Sequence, residues 1–434
     1  MTPTPHVNGT RPLDGIPRVR VEGTSYQRGR QYGARARARV HRSVRAYQQV
    51  FEYYAGWDWA EVRRVAAGFE APIAGFRPAY LEEMRGIADG AGLGLADVLA
   101  INVRTEVMYA AKARQAPLAE RATQAARAPH PPAECSSFAV VPQAPGRQTL
   151  IGQNWDWLLH SADTLVLLEV SQAEGPDFVT VVEAGLLAKA GMNAAGLGLV
   201  TNAMVTDADV GAPGLPYHVL LRAMFDCTTV TEALMVLQAG ERSSSANYLI
   251  AHASGTALDV EAAPGDFTRL YALYPDHGLL LHTNHFRSPL PRPGDPVDLS
   301  LWAMPSSAVR LQRLQAMPPA TLDDARRLLA DHADYPYGIC AHPEPGVHPL
   351  EQGATITSLL MDLTAGQMWV TAGNPCQAPY QDVAWSAASP AEASPAEASP
   401  AEASPAEGSP AEARAAAEPT DDSPAARARS ASPV

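Results

Sequence analysis

The chain changes character at Glu134-Cys135, and that junction limits what it can fold into. Residues 112–133 are mostly Ala, Arg, Gln and Pro without strong periodicity, and read as an exposed linker. From Cys135 onward the texture is strand-like. The stretch Glu134-Cys135-Ser136-Ser137-Phe138-Ala139-Val140-Val141-Pro142 places a small polar turn before an apolar run. After a Pro145-Gly146 turn comes Leu150-Ile151-Gly152-Gln153-Asn154-Trp155-Asp156-Trp157. This predicts a thiol at the start of a strand, with a hairpin partner ending in a polar cluster. An amide and a carboxylate on the neighbouring strand could back such a thiol. The hairpin holds no histidine, so a local Cys–His pair is excluded. An N-terminal nucleophile is another solution: the chain is cut before Cys135 and the freed α-amine acts as the base. An α-amine titrates near ~7.7–8.0, which suits proton transfer at neutral pH.

Upstream of the junction the pattern is helical. Residues 1–15 read as a leader, and Ile16–Glu22 as a short strand closed by Gly23. From Ser25, Tyr26, Gly29, Tyr32, Gly33, Val40, Val44, Tyr47, Val50 and Phe51 follow a helical period. Residues 78–92 and 97–108 read as further helices. Downstream, strands are expected at Leu165–Val170, Phe178–Val182, Leu186–Ala190, across Gly191–Asn202 as a pair, and at Asn247–His252, Ala257–Ala262 and Leu279–Thr283. Helices are expected at Pro216–Phe225, Val230–Ala239 (capped by Thr229), Val309–Met317 and Leu322–Asp331, and a last hairpin at Thr355–Asp362 and Gln367–Ala372. Two strand groups with flanking helices fit a helix–sheet–sheet–helix sandwich. The expected organisation is a leader (1–15), a helical segment (16–134), a core (135–385) and a tail (386–434).

The tail repeats Ser-Pro-Ala-Glu-Ala from Ser389 and carries no large apolar side chain between Trp385 and Val434. It cannot bury enough surface to offset its ordering entropy, and reads as a disordered, proline-stiffened appendage. Eight acids against three arginines put −5 of the net charge of −13 there. The rest is mildly acidic, so nucleic acid is not an expected partner; the arginines between 28 and 45 read as a solvated helix face. No run of ~18 apolar residues predicts a membrane span. The first residues lack a signal peptide's charged and apolar regions, which with a reduced thiol suggests a cytoplasmic protein.

Cys135, Cys227, Cys340 and Cys376 include no close pair, so neither a disulfide framework nor a zinc ribbon is expected. The last three read as structural thiols. His282 and His285 have a metal-like spacing, but positions three apart on a strand face opposite ways, and no metal or cofactor is expected. Arg104 and Glu106 read as an ion pair that holds the fold. Asp156, between two tryptophans, needs a partner if buried.

Several motifs in order resemble the acyl-CoA:6-aminopenicillanate acyltransferase family, the self-processing Ntn hydrolases of peptidase family C45, which also holds the β-alanyl-dopamine hydrolases. They are Cys135, Gly152-Gln153-Asn154-Trp155-Asp156, Glu183-Ala184-Gly185, Gly191-Met192-Asn193-Ala194-Ala195-Gly196 and His282-Thr283-Asn284-His285. Further stretches, from Gly23–Gly33 and Glu83–Ala91 to Gly353-Ala354-Thr355, extend the resemblance over roughly residues 18–375. It implies an αββα fold of α+β class, two antiparallel sheets flanked by helices, made as a precursor and cut between Glu134 and Cys135 into an α chain and a β chain. It implies that Cys135 is the nucleophile in self-cleavage and catalysis, that Asp156 positions the cysteine or its amine, and that Asn284 donates to the oxyanion. The chain departs from the penicillin-biosynthetic pattern in two places. It has Glu134 where that member has glycine, and Gly338-Ile339-Cys340-Ala341 where that member has Ser-Ile-Cys-Arg.

The expected activity is that of a thiol amide hydrolase or acyltransferase. Cys135 attacks a small-molecule amide or thioester, and the acyl-enzyme is discharged to water or to an acceptor amine, with CoA a possible donor. Two alternatives stand beside it: a non-catalytic Ntn-fold protein with a tethering tail, and an uncut Cys–His hydrolase using a distant histidine such as His282.

Overall fold

The computed structural model describes residues 13–115, 134–144, 147–289 and 294–385. Most of the expected leader, most of the linker, the hairpin turn at 145–146 and the tail lie outside the described residues. The elements in order are β1 (Arg18–Glu22), α1 (Ser25–Arg35), α2 (Arg37–Ala55), α3 (Trp59–Ala66), α4 (Glu70–Phe76), α5 (Pro78–Ala91), α6 (Leu95–Asn102) and α7 (Arg104–Gln115). Then come β2 (Cys135–Val140), β3 (Leu150–Leu158), β4 (Leu165–Ser171), β5 (Phe178–Glu183), β6 (Ala190–Asn193), β7 (Leu197–Ala203), α8 (Tyr217–Met224) and α9 (Val230–Gln238). The rest are β8 (Ala246–His252), β9 (Ala257–Ala262), β10 (Leu270–Leu273), β11 (Leu279–His282), α10 (Ser300–Ala303), α11 (Ser306–Ala316), α12 (Leu322–Leu329), β12 (Gly353–Asp362), β13 (Gln367–Val370) and β14 (Gln381–Asp382).

The strands form two sheets, one of eight strands (β1-β4-β5-β6-β7-β8-β9-β10) and one of six (β11-β2-β3-β12-β13-β14). Side-chain alternation sorts each strand between two cores. On β3, Ile151 and Trp155 enter the cluster between the sheets, together with Val179 and Val181 of β5 and Val200 of β7. Leu150 of β3 and Phe138 of β2 face the other way, onto Leu314 of α11 and Leu328 of α12. Phe178 and Val182 of β5 pack outward against the N-terminal helices and against α8 and α9. The layers are therefore helices, sheet, sheet and helices, the αββα sandwich of the expected α+β class. The sheets are antiparallel as expected except that β1 runs parallel to β4, which a strand from the segment before the helices can do because α1–α7 and the linker lie between them.

The glycines of α1 and α5 explain how the first helices assemble. A Cβ on Gly29 would lie 2.0 Å from the Glu83 carbonyl oxygen, and one on Gly86 would lie 2.2 Å from that of Tyr26. The two backbones touch, and no side chain fits between them.

Some elements differ from expectation. The segment 97–108 is two helices with a break at Val103. Leu186–Ala190 is not a strand; regular pairing begins only at Ala190. The cause is local: Gly185 turns the chain at φ 104°, and the Asn102 side chain takes over the backbone pairing. It donates to the Gly185 carbonyl at 2.8 Å and accepts from Leu187 N–H at 3.0 Å.

Candidate active site

Cys135 opens β2, a central strand of the six-stranded sheet, flanked by β11 and β3. It lies opposite Trp155 on β3, and Asp156 lies opposite Thr355 on β12. Asn284 follows the end of β11, and the first turns of α11 supply Ser306, Ser307 and Arg310. The three residues singled out from sequence thus come from three neighbouring segments of one sheet. Cys135, Asp156 and Asn284 are all buried.

The peptide bond between Glu134 and Cys135 is held on both sides. The Glu134 carbonyl accepts from the Asp156 backbone N–H at 2.9 Å. The Cys135 N–H donates to Asn284 Oδ1 at 2.7 Å. Asn284 is fixed in turn: its Nδ2 donates to the Ala203 carbonyl at 2.9 Å, and its N–H donates to Ser307 Oγ at 2.7 Å. One guanidinium ties these parts together. Arg310 donates to the Cys135 carbonyl at 2.6 Å, to Ser136 Oγ at 3.0 Å and to Asn284 Oδ1 at 2.9 Å, and sits 3.6 Å from the Glu134 carboxylate.

Burial raises the Cys135 thiol to about 12, against the lowering influence of Lys189, of the Asp156 backbone N–H and of Arg310. The sulfur therefore carries its proton at neutral pH. Burial also raises Asp156 to about 7, opposed by Arg310 and by the Thr355 hydroxyl, which donates to Oδ1 at 2.5 Å. Oδ2 of Asp156 is buried without a hydrogen-bond partner among the described residues.

The Asp156 shift has a consequence for stability. A carboxyl raised in the folded state binds its proton more tightly there than in the unfolded chain. Its contribution is complete below the unfolded value and is lost as pH rises through about 7. In a Cys135→Ala background, the parent should lose stability relative to Asp156→Asn on the order of a few kcal/mol from about pH 5 to about pH 8. Thermal melts across that range read the difference, and parallel curves for the two proteins would refute it.

Three residues that sequence reasoning passed over stand in the site. Arg310 lies on a helix whose other arginine, Arg313, forms an ordinary partly exposed ion pair with Asp331 at 2.6 Å, so nothing in the sequence distinguished it. Lys189 had a signal: it is one of only two lysines in the chain and interrupts an apolar run. Its Nζ lies 4.4 Å from the Trp155 ring centre and 5.4 Å from that of Tyr217. Burial lowers Lys189 to about 8, and the Cys135 sulfur opposes that shift. Tyr217 shares a 2.7 Å hydrogen bond with the Thr201 hydroxyl.

Arg104 does not pair with Glu106. It binds Glu183 at 2.6 Å and His218 at 2.9 Å, while Glu106 accepts from the Tyr217 N–H at 2.8 Å and from Ser244 Oγ at 2.9 Å. Helix positions two apart do not face each other, which the ion-pair expectation overlooked. His282 is engaged at both ring nitrogens, by Glu261 at 2.9 Å and by the Thr283 carbonyl at 2.7 Å. His285 turns to Ser307 at 2.7 Å, so the two histidines do not converge.

The family pattern of acyl-coenzyme A:6-aminopenicillanic acid acyl-transferase matches residues 143–377, more than half of the chain. The chain belongs to that family. A relative in it, the acyl-coenzyme A:6-aminopenicillanic-acid-acyltransferase 40 kDa form of Emericella nidulans, is 25% identical over 363 residues, covering 82% of this chain and 92% of that protein. Among solved structures, a mutant of the conjugated bile acid hydrolase from Clostridium perfringens matches with a TM-score of 0.35 and 11% identity, over 58% of this chain and 97% of that one. The penicillin V acylase from Agrobacterium tumefaciens matches with a TM-score of 0.30 and 17% identity, over 55% and 83%. The family match makes it an enzyme of the acyltransferase class. No helix among the described residues is long and apolar enough to cross a membrane.

Proposed function

We propose that the protein is a self-processing N-terminal-cysteine acyltransferase or amide hydrolase, cut between Glu134 and Cys135. The observation that carries this reading is the clamp on that peptide bond: Asp156 N–H on the carbonyl of Glu134 and Asn284 Oδ1 on the nitrogen of Cys135. A backbone donor already points at the oxygen on which charge would develop.

In self-cleavage the Cys135 sulfur bonds to the Glu134 carbonyl carbon and the carbon–nitrogen bond breaks. The thiol proton passes to the Cys135 nitrogen, which becomes the α-amine. Water then cleaves the thioester, releasing Glu134 as a carboxylate. Asn284 Oδ1 accepts from the same nitrogen before and after the cut, with Arg310 keeping that oxygen in place. Once the chain is cut, the freed amine is the base that takes the thiol proton during attack on the substrate. Turnover then repeats the same chemistry with a small N-acyl or acyl-thioester substrate where Glu134 had been. The substrate's oxyanion is met by the Asp156 N–H and the Asn284 amide, and the acyl group passes to water or to an amine. Asp156 positions the new amine and offsets its charge when it takes the thiol proton.

An uncut Cys–His hydrolase is disfavoured because His282 is committed to Glu261 and the Thr283 carbonyl. Intact mass of the purified protein under denaturing conditions tests the proposal. Two fragments are expected, the heavier beginning at Cys135. An uncut chain that turns over amides would refute the mechanism.

A further inference from the structure

Beyond the thiol site, two cysteines and two histidines converge. Cys340 and Cys376, expected as unrelated structural thiols, have their sulfurs 3.5 Å apart. His342 Nε2 lies 3.6 Å from the Cys340 sulfur and 3.4 Å from that of Cys376. His332 Nε2 lies 3.1 Å from His342 Nε2, and all four ligand atoms fall within 4.8 Å of one another.

We propose that these residues form a zinc site of the His₂Cys₂ class. Zinc takes thiolate sulfur at about 2.3 Å and imidazole nitrogen at about 2.0–2.1 Å in a tetrahedron. The edges of that tetrahedron are about 3.8 Å between sulfurs, about 3.3 Å between nitrogens and about 3.5 Å between sulfur and nitrogen. Four of the six edges match within a few tenths of an ångström, and the two from His332 to the sulfurs lie within 4.8 Å. A disulfide would require the sulfurs at about 2.05 Å. Binding releases the two thiol protons, as the cysteines enter as thiolates and the histidines as neutral rings.

The surroundings suit this role. Asn374 Nδ2 points at the Cys340 sulfur from 3.4 Å, a donor suited to a ligating thiolate. The loop between α12 and β12 is already folded back, with Cys340 N–H on the Asp331 carbonyl at 3.0 Å and His342 N–H on that of Pro336 at 2.9 Å. Cys340 and His342, two apart, can present their ligand atoms on the same side. Cys376 comes from the segment after β13, so the ion would join two pieces of chain that share no regular hydrogen-bond ladder.

Four protein ligands leave no open position, which makes the site structural. What it braces is adjacent to the thiol site. Ala341, between two ligands, accepts from Thr355 N–H at 3.0 Å and donates to Thr355 Oγ1 at 3.0 Å. That hydroxyl binds Asp156. The Ile339 carbonyl also accepts from Asn154 Nδ2 at 2.8 Å.

The test uses the full chain, produced with zinc supplied and purified under reducing conditions. Metal analysis should find one zinc per chain, retained in Cys227→Ala and lost from both Cys376→Ala and His332→Ala. Chelation should lower the wild-type melting temperature by several degrees and leave Cys376→Ala unmoved. Cobalt exchanged into the wild type should show thiolate-to-metal charge transfer and the visible bands of a tetrahedral ion, a readout that needs no variant to fold. Absence of bound zinc, a Cys340–Cys376 disulfide persisting in reduced protein, or zinc retained in both ligand variants would overturn the proposal. None of these readouts depends on amide turnover, so the proposal stands or falls apart from the thiol chemistry.

Discussion

Cys135→Ala is expected to remain a single chain of 434 residues and to lose amide turnover entirely. Both expectations follow from one atom. The sulfur that would open the Glu134–Cys135 bond is the one that would later carry the substrate's acyl group, so its removal stops both steps. The fold should survive, because alanine keeps the Cβ and Cys135 begins a strand already paired to β3 and β11. The packing loss for one small buried sulfur is on the order of 1 kcal/mol. Arg310 and Asn284 keep their backbone partners at position 135, since they bind its carbonyl and its N–H. Denaturing intact mass reads the processing and a chromogenic amide reads the turnover. A cut Cys135→Ala chain would show that another group attacks Glu134, and the nucleophile assignment would fall.

Patterns that depend on near neighbours in sequence were legible. The apolar runs on either side of the Pro145-Gly146 turn placed β2 and β3 as a hairpin with the thiol at a strand start, and the register that sets Cys135 opposite Trp155 came from the structure. Thr229 caps α9 through Glu232 N–H at 3.1 Å, as its residue type predicts. Failures came where a distant side chain replaced a local ladder, as when Asn102 bonds the backbone around Gly185 and unmakes the expected strand there. The site divides in the same way. Cys135, Asp156 and Asn284 sit in short motifs that resemble a family. Arg310 sits in an ordinary amphipathic helix and reaches the site only because α11 points its first turns at the strand ends. The His332, Cys340, His342 and Cys376 group was invisible because its spacing follows no ribbon pattern, and Cys376 lies beyond an intervening hairpin.

The role of Asn284 can be divided between its two ends. Its Oδ1 accepts from the Cys135 nitrogen, and Nδ2 is the end that can donate to a substrate oxyanion. Asn284→Ala removes both and should lower kcat by about 10²–10³, the cost of one oxyanion donor, with little change in KM. Asn284→Asp keeps an acceptor for the Cys135 nitrogen and a partner for Arg310, but loses the amide donor. It should therefore process more completely than the alanine variant while turning over as slowly per processed chain. Processing must be counted by intact mass in each preparation, because a tetrahedral oxyanion also forms during self-cleavage, where the Asp156 N–H is the donor already in place. Circular dichroism checks that the buried charge of the aspartate is accommodated beside Arg310. Wild-type kcat per processed chain in Asn284→Ala would remove Asn284 from the oxyanion and leave the Asp156 N–H in that role.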